Sequence, residues 1–386
     1  MHFEKADRLK QLPPYLFAEI DKKKKAAIAA GKDIINLGIG DPDLPTPDFI
    51  IDALAKAAHD GRNHQYALDN GLPELREAFA EWFEKRFGVA VDPDKEVYPL
   101  IGSKEGLAHL PLSILNPGDV SLVPDPAYPV YGSSTIFAGA EPYLMPLRQE
   151  RNFLPDLEAV PDDILQRAKM IFVNYPNNPT AAMAPKSFCE ELIGFANKNG
   201  LAVCADMAYS EIAFGEKPLS LLSIPGGKDC AIEFHSLSKT FNMTGWRIAF
   251  AVGNADLVAA LGQLKTNVDS GIFQAVQYAG IAALRDQSGF IDNLVATYKA
   301  RRDILVDGFR SIGWDIVAPE ATFYAWLPVP EGQASAEFVT RLLEEASVVC
   351  TPGVGFGASG EGFFRMTITT SEERIREAVQ RISAVL

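Results

Sequence analysis

Glu233-Phe-His-Ser-Leu-Ser-Lys-Thr-Phe-Asn-Met-Thr-Gly-Trp-Arg247 is the stretch from which the rest of the chain can be read. A short apolar run, Ala231 to Phe234, predicts a strand that ends in the hydroxyl residues Ser236 and Ser238. Lys239 follows at once, and Arg247 comes eight residues later. Hydroxyls and a guanidinium both donate hydrogen bonds, and Arg can do so bidentately, so the set suits a bound phosphate. A lysine held beside such a cationic site has its amine pKa lowered and becomes nucleophilic toward an aldehyde. A phosphate-bearing aldehyde that reacts with a lysine amine is pyridoxal 5′-phosphate. Ser-x-Ser-Lys alone would read as an exposed turn after a strand; Gly245-Trp246-Arg247 favours the cofactor.

Outward from this stretch, short apolar runs alternate with helical patterns. The predicted strands are Val97–Ile101, Val120–Val123, Pro142–Leu147, Met170–Asn174, Leu201–Asp206, Ala231–His235 and Arg247–Val252. Helical stretches such as Pro185–Asn199 and Ala255–Leu264 separate several of them. Such alternation predicts an α/β fold: a large, mostly parallel, doubly wound sheet flanked by helices. A helix over Phe17–Ala30 precedes this region. A long helix over Phe290–Ile312 follows it, then strands near Ile316 and at Phe323–Leu327, a helix at Ala336–Ala346, a strand at Phe363–Thr369 and a closing helix from Ser371. The expected division is an N-terminal arm with part of a small α+β domain (1–45), a large cofactor-binding domain (46–285) and the rest of the small domain (286–386). By pattern alone, Arg365 is out of place inside an apolar strand.

In open α/β sheets ligands collect beyond the carboxyl ends of the strands. Five motifs fall there. Gly102-Ser103-Lys104 opens a helix, where glycine and free N–H groups can cradle a phosphate, although Gly-Ser is also an ordinary helix-entry turn. Asp125-Pro-Ala-Tyr128-Pro presents a ring at a rigid turn, with core packing as the plainer role for Tyr128. Asn174-Tyr-Pro-Asn-Asn178-Pro-Thr180 resembles a simple turn, yet a fixed Asn178 amide could donate to a phenolate oxygen. Asp206-Met-Ala-Tyr209 ends a strand in an acid, which can cap a helix or keep a pyridine nitrogen protonated. Lys239 completes the series. Each motif could be structural; their order at successive strand ends favours a single site.

Bulk properties narrow the class. The chain has 386 residues, 47% of them hydrophobic, and its 36 basic against 50 acidic residues give a formal charge of −14. That balance argues against nucleic acid or an anionic membrane as partner. The run Lys22–Lys25 reads as a solvated helix face. Cys189, Cys204, Cys230 and Cys350 lack Cys-x-x-Cys spacing, so buried free thiols are expected and no metal site. Met1–Asp7 has no apolar signal core and no apolar run reaches the ~18 residues of a membrane span, which makes a cytoplasmic enzyme the expectation. Gly353-Val-Gly-Phe-Gly357 imitates a dinucleotide fingerprint, but no third glycine opens a helix there; a loop near a substrate mouth is expected instead.

The motifs together resemble the pyridoxal-phosphate-dependent aminotransferases of fold type I, class I/II, over essentially the whole chain. Gly38-Ile-Gly-Asp-Pro-Asp and Phe363-Phe-Arg-Met extend the match. Within the family, Leu12-Pro-Pro-Tyr-Leu-Phe-Ala-Glu-Ile20, Ile101-Gly-Ser-Lys-Glu-Gly-Leu-Ala-His109 and Ile232-Glu-Phe-His-Ser-Leu-Ser-Lys239 are most similar to the bacterial LL-diaminopimelate aminotransferases. The resemblance implies that Lys239 carries the cofactor and moves the proton between substrate Cα and cofactor C4′. It implies that Asp206 holds the pyridinium nitrogen and that Asn178 and Tyr209 bond the phenolate oxygen, with Tyr128 stacked on the ring. By the same resemblance, Ser103, Lys104, Ser236, Ser238 and Arg247 would surround the phosphate, joined by Tyr66 from the second subunit of a homodimer. Arg365 takes the substrate α-carboxylate, while Tyr15, Gly40, Lys104, Asn178 and Asn267 align with further substrate-contacting positions for amino acids and 2-oxo acids.

Two departures from the family pattern stand out. Ala181 replaces the usual glycine after Asn-Pro-Thr, and Asp69 stands where plant-type diaminopimelate enzymes carry glutamate. A shorter acid at Asp69 can still meet a distal ammonium, including through water. An alanine- or aspartate-type aminotransferase remains the other reading. Of the other rivals, a lyase or racemase on the same fold shares Asp206 and Arg365, a DNA-binding regulator needs a basic segment, and a nicotinamide dehydrogenase needs the missing fingerprint.

Overall fold

The computed structural model describes residues 2–12 and 16–386, without the side chains of residues 16–20; the expected contact residue Tyr15 lies outside the described residues. Twelve strands are described: β1 (Ile35–Asn36), β2 (Val97–Leu100), β3 (Val120–Asp125), β4 (Glu141–Pro146), β5 (Ala168–Val173), β6 (Ala202–Asp206), β7 (Ala231–Ser236), β8 (Ala249–Gly253), β9 (Tyr324–Pro328), β10 (Val348–Val349), β11 (Thr351–Pro352) and β12 (Phe363–Thr367). Seven of them form one sheet in the order β2-β8-β7-β6-β5-β3-β4, parallel except for β8, which runs antiparallel to both of its neighbours.

Apart from the edge strand β4, which is largely exposed, the strands of this sheet are nearly continuous apolar runs because both faces are covered. Alternate side chains go to opposite sides. Ile171 and Val173 of β5 pack with Val203, Phe250 and Phe79 on one face. Met170 and Phe172 join Cys204, Phe234 and Leu107 on the other. All four cysteines are buried free thiols, and burial pushes the Cys189 and Cys230 thiols up to about 11.

A second core gathers around the antiparallel sheet β11-β12-β9 and the parallel pair β1-β10. Phe364 and Met366 of β12 meet Phe338, Ile375 and Leu305 from the helices Ser335–Glu345, Glu372–Ser383 and Phe290–Ser311. Arg365, between them in sequence, therefore projects from the opposite face, and the period-2 pleat explains a charge in an apolar run. The pairing of β1 with β10 ties the N-terminal segment to the C-terminal third.

Two expectations shift. Arg247 lies outside the ladder, with φ +54 after the 3-10 turn Thr244–Trp246, so β8 starts two residues later. No strand forms near Ile316 either. Its side chain is buried in the second core while its carbonyl accepts from Arg310 Nη2 (2.9 Å) instead of a ladder partner.

Candidate active site

The carboxyl ends of β3, β5, β6 and β7 converge on one edge of the large sheet, and antiparallel β8 brings Arg247 to the same edge at its amino end. Ser236 ends β7 and caps the short helix Leu237–Thr240, its Oγ accepting from Ser238 N–H (3.2 Å). That helix turns Lys239 inward. Its Nζ donates to Gly40 O (2.9 Å) and lies 5.5 Å from the centre of the Phe323 ring. Burial pushes the amine down to about 8, helped by the Arg365 and Arg247 charges and opposed by Asp41 and Asp206.

Asp206, the last residue of β6, is buried. Its carboxylate accepts from Tyr131 Oη–H (2.8 Å) and from Ala208 N–H (3.3 Å). Burial pushes its pKa up to about 6 despite these donors. Both donors are neutral, so a cationic N–H beside Asp206 would be strongly favoured. Tyr131 is fully buried and stacked on Phe172 with centroids 4.9 Å apart, which fixes its hydroxyl. Tyr209 shares a 2.8 Å hydroxyl contact with Tyr324, and burial raises its pKa well above the ordinary tyrosine value.

Arg365 is 4% exposed. Its Nη1 donates to Asn178 Oδ1 (2.7 Å) and its Nη2 to Gly38 O (2.8 Å). The guanidinium lies between the rings of Tyr324 (4.2 Å) and Phe356 (4.7 Å). Its Nε–H is buried with no hydrogen-bond partner, an arrangement that costs free energy until an acceptor arrives. Asn178 is itself held by its N–H bond to Asn174 Oδ1 (2.7 Å), which leaves its side-chain NH2 available.

At the other side of the pocket, Gly102 has φ +98, and a Cβ there would overlap the Arg247 guanidinium. Glycine thus brings Arg247 against the start of the helix Ser103–Ile114, where backbone N–H groups, Ser103 and Arg247 form a cradle for an anion. Lys104 Nζ sits 5.8 Å from the centre of the Tyr128 ring, which meets Tyr131 edge-on at 6.0 Å.

A sequence profile for aminotransferase class I and II matches residues 32–382. The chain belongs to the class I and II aminotransferases. These are pyridoxal-phosphate-dependent enzymes. An LL-diaminopimelate aminotransferase of Syntrophobacter fumaroxidans is 56% identical over 383 residues, 99% of each chain. One from Aquifex aeolicus is 54% identical over 98% of each. Among solved structures, a double mutant of Thermus thermophilus aspartate aminotransferase superposes with TM-score 0.93 at 30% identity over 100% of both chains. The residues of this aminotransferase fit pyridoxal phosphate. They offer a depressed amine, a buried carboxylate with only neutral donors and an anion cradle that a Cβ would fill.

Three expected residues stand apart from this cluster. Tyr66 is 93% exposed. Asp69 lines a groove of about 700 Å3 with Leu68, Tyr98, Gln263 and Thr266. The amide of Asn267, exposed on the helix Ala255–Val268, donates back to Gln263 O (2.8 Å). Sequence reading missed Tyr131 and Tyr324. Tyr131 lies three residues after Tyr128, a helical spacing that was a usable signal; Tyr324 gave none beyond its strand.

Proposed function

We propose that this aminotransferase interconverts LL-diaminopimelate and tetrahydrodipicolinate with glutamate and 2-oxoglutarate as the second pair, a step of lysine biosynthesis. The observation that carries the reading is full-length identity above one half to enzymes of that name.

Bound pyridoxal phosphate supplies the electron sink that lets the substrate Cα proton leave. In this reading Asp206 pairs with the pyridinium N–H, and Tyr131 keeps that carboxylate oriented. Asn178 uses its free NH2 and Tyr209 its hydroxyl at the phenolate oxygen, Tyr324 donating to Tyr209 in turn. Tyr128 covers one ring face. Ser103, Lys104, Ser236, Ser238 and Arg247 take the phosphate. Lys239 would hold the cofactor between turnovers and, once released as an amine that burial brings down to about 8, would take up and pass on the substrate Cα proton. Arg365, held at Nη1 by Asn178 and at Nη2 by Gly38, offers its guanidinium to the α-carboxylate.

We infer a cytoplasmic homodimer that binds no nucleic acid. In support, no helix among the described residues is long and apolar enough to cross a membrane, and the net charge is negative. Tyr66, Leu68 and Phe273 form exposed apolar surface where the backbone of Leu68 adjoins Gly271, which suits a subunit contact delivering Tyr66, Asp69 and Asn267 to the partner's pocket. The division 1–45, 46–285 and 286–386 is kept as the proposed domain plan, supported by the separate cores of the two sheets.

The second reading, an aspartate- or alanine-type enzyme, is favoured by the likeness to the Thermus thermophilus enzyme. Parallel assays with LL-diaminopimelate, meso-diaminopimelate, aspartate and alanine decide between them. Brisk turnover of aspartate or alanine without the LL isomer would install the second reading.

A further inference from the structure

We propose that Asp125 and Ser359 latch the loop Gly353–Gly360 across the site, making Phe356 the positioning residue that holds Arg365 for the substrate α-carboxylate. The proposal rests on the reading of Arg365 as the carboxylate fork. Asp125 is the last residue of β3, just before the turn that carries Tyr128. Its buried Oδ2 accepts from both Ser359 N–H (3.1 Å) and Ser359 Oγ–H (2.9 Å). Beside them, Ala127 N–H donates to Phe356 O (2.9 Å). Three hydrogen bonds thus join the edge of the large sheet to a loop that belongs to the small one. Gly357 permits the approach: its φ is +138, and a Cβ there would overlap Asp125 Oδ1. Of the glycines in 353–357, Gly357 is the one this contact requires, whereas Gly353 makes room for the Gly360 carbonyl within the loop.

The latch matters because of what Phe356 touches. Its ring packs over the Arg365 guanidinium at 4.7 Å, opposite Tyr324 at 4.2 Å, and meets Trp326 edge-on at 6.0 Å. Trp326 is itself the ladder partner of Arg365. A guanidinium clamped against two rings keeps its plane and stays dry, so it meets a carboxylate in a fixed direction and at low dielectric. Releasing Phe356 lets the fork rotate and hydrate. Every amino acid and 2-oxo acid in a transamination carries the same α-carboxylate, so the loss falls equally on all substrates. Asp206, Lys239 and the phosphate cradle of Ser103 and Arg247 make no hydrogen bond to Phe356 or Ser359, so the main grip on the cofactor is spared.

The test uses holoenzyme variants Ser359→Ala, Ser359→Thr and Gly357→Ala, with Arg365→Gln in parallel. KM and kcat are measured for glutamate and for LL-diaminopimelate, together with the pyridoxal phosphate dissociation constant. Ser359→Ala is expected to raise both KM values about tenfold, by the same factor, with kcat within about twofold, as for lost uniform binding. Ser359→Thr keeps the hydroxyl and restores KM. Gly357→Ala, which pushes the loop off Asp125, is expected to exceed Ser359→Ala. An Arg365→Gln enzyme with unchanged KM would remove the fork reading and this proposal together. With Arg365→Gln impaired, the latch alone is overturned by Gly357→Ala and Ser359→Ala enzymes that keep wild-type KM. It is equally overturned if their KM values change for one substrate only, or if cofactor affinity falls in step.

Discussion

Lys239 offers the sharpest quantitative test, because its reactivity depends on a proton whose affinity the fold has changed. An ordinary lysine titrates at 10.5, whereas burial and the flanking arginines bring this amine to about 8. A depression of that size raises the unprotonated fraction near neutral pH by about 300-fold, equivalent to roughly 3 kcal/mol between protonation states. Two neighbours allow the cause to be dissected. Arg365→Gln removes a cation and should move the midpoint up; Asp41→Asn removes an anion and should move it down. The assay is stopped-flow incorporation of pyridoxal phosphate into cofactor-free protein across pH, normalised to its reaction with methoxyamine, a weakly basic amine that stays unprotonated over the range, so that the aldehyde's own titration cancels. The normalised rate should rise through a midpoint of about 8, and Lys239→Ala should show no fast phase. Stability has the matching sign. Between about 8 and 10.5 the unfolded chain binds more protons at this site than the folded one, so the cofactor-free protein gains stability as pH rises through that window. Below about 8 both states are protonated and the penalty is full and constant. A midpoint at 10 or higher, or shifts of the two variants in the reverse order, would refute the reasoning.

Three further outcomes can be measured. Tyr131→Phe removes the hydroxyl donor to Asp206, and a hydrogen bond to a charged group is worth about 1.5–3 kcal/mol; equilibrium dialysis should show cofactor binding weakened tenfold or more, with the fold intact by circular dichroism. Ala181 has φ +60, where a Cβ is strained by about 1–2 kcal/mol, partly offset by glycine's greater freedom when unfolded. Ala181→Gly should therefore raise the thermal midpoint and leave kcat alone; a lower midpoint would contradict the strain. For the dimer, co-refolding inactive Tyr66→Phe and Lys239→Ala chains should restore activity through hybrids with one intact site each, and failure to complement would place Tyr66 in its own subunit's site or in none.

How much of this was legible in sequence depends on which groups act locally. Six of the seven strands of the large sheet are readable as buried apolar runs bounded by turn residues, and covering both faces makes that signal strong, whereas the largely exposed edge strand β4 is readable only from the short apolar stretch Tyr143-Leu-Met145. The strand-end residues Asp206, Asn178 and Lys239 were readable for the same reason: once the strands are placed, the edge of the sheet is placed. Arg247 was assigned to β8 because its neighbours are apolar, whereas the positive φ that turns it toward Gly102 leaves no trace in composition. Ile316 shows a related limit. Its burial is real, but three-dimensional packing against a helix produces the same apolar residue as a ladder does.

What sequence could not supply is the set of contacts made between the two sheets. Tyr324 meets Tyr209 across 115 positions, Arg365 meets Asn178 across 187, and Ser359 meets Asp125 across 234. Each pair joins a residue of the cofactor-facing edge to one of the small sheet, and none has a local spacing that announces it. These contacts also divide the chemistry. The groups proposed to grip the cofactor, from Ser103 to Arg247, stand on the large sheet's edge, whereas Arg365 and its two rings ride on the small sheet and the loop before β12. A change in how the two sheets meet would therefore alter capture of the substrate carboxylate before it altered retention of the cofactor.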